Sequence, residues 1–190
     1  MKKQTIIIVV CVLVAVLAIV GVLLIGGNSQ KGMNFDSAAK VEEMFNTIYS
    51  NLEGQLPYLE TATLDATDEL TLGAYTGLKS NENVEALVVS EPLTGSQPYS
   101  AVVVLVKDGA DVDAMKQEML DNINMRKWIC VSAEKMYVTN TGNAIFMIMA
   151  SNDWAGPVYE EFKKYVNNEV GTELEKVGEV DELPPEIILE

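Results

Sequence analysis

The hydrophobic residues of this chain fall into blocks whose spacing changes from one block to the next. The first runs from Ile6 to Ile25, twenty residues without a charge, and as a helix it spans roughly 30 Å of hydrocarbon. Further on, Ala38, Val41, Met44, Phe45, Ile48 and Leu52 recur at three- and four-residue steps. That period predicts a helix over 35–52, capped by Asp36 or Ser37 and ended by Gly54 and Pro57. The stretch QLPYLETATLDATDELTLGAYTGL has no clear period; Asp65 or Thr67 is placed to cap a short helix through Tyr75, with Gly77 closing it.

Two β-branched runs follow, 84–90 and 99–107, separated by the turn-rich EPLTGSQP. Val102 to Val106 is apolar at every position, as in a central strand covered on both faces. Asp108-Gly109 breaks that strand, and a helix over 111–125 places Val112, Met115, Met119 and Ile123 on one side. A hairpin of 135–140 and 143–150 turns around NTGN, where Gly142 or an asparagine accepts positive φ. A last helix over 153–167 turns Trp154, Val158, Phe162, Tyr165 and Val166 inward.

The expected fold is therefore α+β: an N-terminal transmembrane helix, then one domain with a four-stranded, mainly antiparallel sheet and a strand-strand-helix order that occurs twice. The boundaries are a cytoplasmic 1–5, an anchor 6–25, a tether 26–34, the domain 35–178 and an acidic, proline-containing tail 179–190. Cys11 lies inside the first apolar run, with fourteen further apolar positions behind it, so it is not a lipoprotein cysteine. A cleaved signal with Gly27 and Ser29 as its small-residue pair is the rival reading, but the run is longer than such signals need. Lys2 and Lys3 precede the span and stay on the cytoplasmic side. The expected location is the cell membrane, single-pass, N-terminus cytoplasmic and C-terminal domain extracellular.

Charge narrows the partners. With 28 acidic and 13 basic residues the net charge is −15, which disfavours nucleic acid and anionic headgroups. The two cysteines, Cys11 and Cys130, fall in different compartments, so no disulfide joins them; Cys130 reads as a buried apolar filler. The chain has no histidine, which removes Ser-His-Asp and Cys-His catalysis and the commonest transition-metal ligand. DGADVD, with Asp108, Asp111 and Asp113, lacks the spacing of a calcium loop and fits helix capping instead. Asp65, Asp68 and Glu69 could form a second acidic pair, but so acidic a chain brings carboxylates together by chance, and only a surrounding pocket would make them an acid–base site.

The order ELTLGAYTGL, VEALVVSEPL, AVVVLVKDGADVDAMKQEMLDNI and TGNAIFMIMASND, with the helix after it, resembles the domain of unknown function 4358 family. Those are uncharacterised exported or membrane-anchored proteins of Gram-positive bacteria. The resemblance covers roughly residues 68–167 and implies a fold and a location, with no activity, cofactor or catalytic residue. The functional expectation is a non-enzymatic binding module of the cell envelope, with no catalytic, cofactor or metal residues assigned. Its partners would be the bilayer, through the N-terminal helix, and a protein or envelope component; the alternative is a carboxylate-based hydrolase of cell-wall glycan. In the tail, Ile187, Ile188 and Leu189 after Pro184-Pro185 read either as a segment tucked onto the domain or as a short motif for a partner.

Overall fold

The computed structural model describes residues 32–178. Its elements, in chain order, are α1 (Ala38–Asn51), β1 (Leu59–Leu64), α2 (Glu69–Thr76), β2 (Val84–Pro92), β3 (Tyr99–Val106), α3 (Val112–Asn122), β4 (Lys135–Thr141), β5 (Ala144–Ala150), α4 (Asn152–Tyr165) and β6 (Leu174–Val177). The strands form one six-stranded sheet in the order β1-β2-β3-β5-β4-β6, and every pairing is antiparallel.

This overturns the four-stranded sheet expected from the pattern. The four inner strands are where the β-branched and apolar runs place them, but β1 and β6 extend the sheet at both edges. Both are edge strands with half-exposed, polar-rich sequences, LETATL and LEKV, so neither carries a buried hydrophobic pattern. The expected membrane span 6–25 and the tail 179–190 lie outside the described residues. Among the described residues, no helix is long and apolar enough to cross a membrane.

The sheet is covered on both faces. On one, α1 and α4 pack Val41, Met44, Phe45, Ile48, Val158 and Phe162 against Val103, Phe146 and Ile148. Phe146 and Phe162 stack with centroids 4.0 Å apart. On the other face, α2 and α3 bring Leu72, Met115 and Met119 against Val102, Val104, Ile145 and Met147. All eight residues of β3 and all seven of β5 are buried, which explains why these strands read as continuous apolar runs.

One polar side chain crosses this second layer. Lys116 is fully buried on α3, and its Nζ donates to Asn140 Oδ1 at 2.7 Å and to the Thr172 carbonyl at 2.9 Å. Asp113 Oδ1, at 2.8 Å, completes an ion pair, so three acceptors meet the three donors of the ammonium. This ties α3 to β4 and to the approach into β6. The signal was present in the stripe itself: Lys116 stands four residues after Val112 and three before Met119, on the buried side.

The chain enters the domain at the β4–β5 turn. The Met33 N–H donates to Thr141 Oγ1 and the Phe35 N–H to Asn143 Oδ1, each at 2.8 Å. The Asn143 side chain returns a bond to the Phe35 carbonyl at 3.0 Å, and its N–H bonds Asn34 Oδ1 at 3.0 Å. The contact is too close for side chains. A Cβ on Gly32 would sit 2.4 Å from Thr141 Oγ1, and one on Gly142 would sit 2.3 Å from the Met33 carbonyl. Both glycines also hold positive φ, +130° and +46°.

Candidate functional site

Entry at the β4–β5 turn defines two ends of the sheet. At the entry end lie Thr141, Gly142 and, one strand over, Leu105, which pairs with Ala144. At the far end lie Tyr99, Ala150, Lys135 and Val177, which follow one another across the ladder. Leu59 and Pro92 face each other at that same end.

Most of the large exposed hydrophobic residues lie at that end, spread across the width of the sheet. Among the described residues these are Tyr58 (75 % exposed), Leu70 (85 %), Leu93 (66 %), Ile129 (72 %) and Val177 (66 %). Tyr58 and Leu93 flank the Leu59–Pro92 pair, and Val177 pairs with Lys135. Ile129 is held against the β2–β3 connection, because its N–H donates to the Gly95 carbonyl at 2.9 Å. Only Leu70, at the start of α2, stands apart from this end. Exposed apolar and aromatic side chains and arginine are the residue types enriched at interfaces.

The loop that presents Ile129, residues 123–134, is long for a connection and has no secondary structure of its own. It is nonetheless fixed. Met125 is buried, and its carbonyl accepts from the Ala133 N–H at 2.8 Å. Lys127 turns inward, forms an ion pair with the Glu91 carboxylate and approaches Ser100 Oγ at 3.3 Å. Its ammonium also lies 4.5 Å from the Tyr75 ring centroid and 5.5 Å from that of Trp128. Burial pushes the Lys127 ammonium below its usual range, and Glu91 opposes that push. With Lys127 inside, Trp128 is half-buried, and Ile129 and Cys130 face outward.

Cys130 corrects an expectation. It is exposed, with φ of +58°, where the sequence reads as a buried filler beside Trp128 and Ile129. The chain bends at 128–130, after the inward-facing Lys127, and Cys130 lies exposed on that bend. Arg126, Trp128, Cys130, Val131 and Ser132 line a depression of about 190 Å³. A neighbouring one of about 180 Å³ lies between Ile123, Met125, Arg126, Lys176 and Val177. Both fall below the roughly 300–1,000 Å³ typical of small-molecule sites, and they suit side chains of a macromolecular partner better than a substrate.

The acidic groups considered from sequence are used locally. Asp111 caps α3 by accepting from the Ala114 N–H at 3.1 Å. Asp68, rather than Asp65 or Thr67, caps α2, accepting from the Leu70 N–H at 3.0 Å and from Thr71 Oγ1 at 2.7 Å. Asp65 accepts from the Thr67 hydroxyl at 2.6 Å and from its N–H at 2.9 Å. These hydrogen bonds hold both carboxyls below the usual carboxylate range, the opposite of what a general acid needs. Among the described residues, no group of three or more His, Cys, Asp or Glu is placed to hold a metal ion. The far-end surface had little sequence signal: RKWIC is five residues without a period, and exposure cannot be read from it. No family model, no curated protein and no solved structure matches this chain.

Proposed function

We propose that this chain is a non-enzymatic binding module, held at the outer face of the cell membrane by residues 6–25, which binds another protein through the far end of its sheet. The carrying observation is the placement of Tyr58, Leu93, Ile129 and Val177 at the end opposite the point where the chain enters. A domain tethered at one end presents the other, and there the irregular connections carry the exposed apolar side chains. The fixed loop matters as much as its composition. Lys127, Met125 and the Ile129–Gly95 bond hold the surface in shape before a partner arrives, which lowers the ordering cost of binding. Membership of the domain of unknown function 4358 family belongs to the same proposal and accords with an exported location.

The test is photo-cross-linking in cells with a photoreactive residue placed at Ile129 or Leu93, and at Asp108 on the entry end as a control. Discrete adducts from positions 129 and 93, absent from 108, are expected. Equal adducts from all three positions, or none from 129 and 93, would count against this surface.

A further inference from the structure

The depression beside β6 carries positive charge in an acidic chain. Its charged groups are cationic, Arg126 and Lys176, in a chain of net charge −15 whose only arginine is Arg126. Lys176 Nζ donates to the Leu120 carbonyl at 3.0 Å, which fixes the ammonium at the wall of the depression. Ile123, Met125 and the exposed Val177 make up its apolar part, so it offers positive charge beside an oily surface. Gly178 also lines it, and its N–H is fixed to the Glu134 carbonyl at 2.9 Å. The chain therefore leaves the described region from inside the depression.

The residues that follow are EVDELPPEIILE. They carry Glu179, Asp181, Glu182, Glu186 and Glu190, no cation, and the apolar Ile187, Ile188 and Leu189. We propose that residues 179–190 dock in this depression, with their first acids against Arg126 and Lys176 and their apolar triplet against the Val177–Ile129 side of the far end. The reach is sufficient. Ile187 comes ten residues after Val177, about 30 Å of extended chain. From β6 to β2 is four strand spacings, about 19 Å. This inference rests in part on the binding surface proposed above: the segment is an internal competitor for that surface. A partner that displaces it shares its chemistry, an acidic stretch that ends in branched apolar residues.

The experiment uses the full chain with Cys11→Ser, which leaves Cys130 as the native thiol beside Arg126. A second thiol is placed by Glu182→Cys, and a short bis-maleimide is added. Intramolecular cross-linking is expected about tenfold faster than in the same chain carrying Arg126→Glu and Lys176→Glu together, which keeps the tether and removes both cations. Arg126→Glu and, independently, Lys176→Glu slow it about two- to fivefold, as loss of one surface ion pair does. Equal rates with and without the two cations overturn the docking, and so does a product that is a concentration-dependent dimer, which would place a second copy's segment there. Deleting residues 179–190 raises the Ile129 photo-adduct severalfold; an unchanged yield overturns the competition. The thiol cross-link reads the segment alone and the photo-adduct reads the partner, so either proposal can fail without the other.

Discussion

Replacing Glu91 by Gln should harm this domain more than replacing Lys127 by Met. The two side chains form one ion pair beneath the loop that carries Ile129, and they are 18 % (Lys127) and 23 % (Glu91) exposed. Breaking a fully buried pair by removing one partner costs about 3–5 kcal/mol; with about a fifth of each side chain in water, Glu91→Gln should cost about 2–3 kcal/mol. Lys127→Met acts differently. Burial already pushes the ammonium below its usual range despite Glu91, so folding penalises this charge relative to the unfolded chain, and methionine removes the penalty. Methionine also keeps a favourable contact with Tyr75 and Trp128. Its cost should stay within about 1 kcal/mol.

Urea unfolding at pH 7 separates the two variants. By melting temperature, Glu91→Gln should fall by about 5–10 °C and Lys127→Met by no more than about 4 °C. The pH dependence has a definite sign. Because the folded value lies below the ordinary 10.5, the unfolded chain binds the extra proton in the window between them. Wild-type stability should therefore rise relative to Lys127→Met as pH climbs through that window towards 10.5. A Lys127→Met variant as unstable as Glu91→Gln, or a wild type that loses ground in that window, would refute the reasoning.

Other outcomes follow from single contacts. Val104 is fully buried beside Ile145, and Val104→Asp should prevent folding of a domain whose total stability is about 5–15 kcal/mol; a cooperative melt like wild type's would disprove the placement of β3. Asp111→Ala should cost about 1 kcal/mol, equally with and without millimolar calcium, read as a shift in the urea midpoint. Gly32→Ala meets Thr141 and the Glu169 carbonyl and should speed hydrogen exchange at the Met33 and Phe35 amides, while exchange in β3 stays slow; unchanged exchange at Phe35 would show that the entry contact tolerates a Cβ.

What the sequence disclosed and what it hid separate along a physical line. β3 and β5 are buried on both faces, and a doubly buried strand has only one kind of residue to choose from, so AVVVLV and AIFMIM announce themselves. The helices α1 and α3 bury one stripe, and their period is equally plain. β1 and β6 bury little, and their identity as strands rests on backbone pairing with β2 and β4, which leaves no mark in LETATL or LEKV. The candidate surface was hidden for a related reason. Whether Trp128, Ile129 or Cys130 faces outward depends on where Lys127 finds a carboxylate, and Glu91 lies 36 residues away in the chain. Lys116 was partly legible, since a lysine inside an apolar stripe asks for acceptors; that they would be Asn140 and the Thr172 carbonyl was not.

The clasp of Met33 and Phe35 on the β4–β5 turn has a mechanical consequence. Tension applied between this clasp and Gly178 runs nearly parallel to the strands, because the two attachment points lie at opposite ends of the sheet. β6 would then be dragged lengthwise along β4, with its four residue pairs, Lys135–Val177 through Val138–Leu174, loaded together. Bonds loaded in parallel must fail together, whereas a strand peeled from its end fails one bond at a time. The short, charged β6 is thus placed as a shear pin: a pull along this axis meets resistance from the whole ladder, and from the Lys116 contacts behind it, before any of the sheet opens.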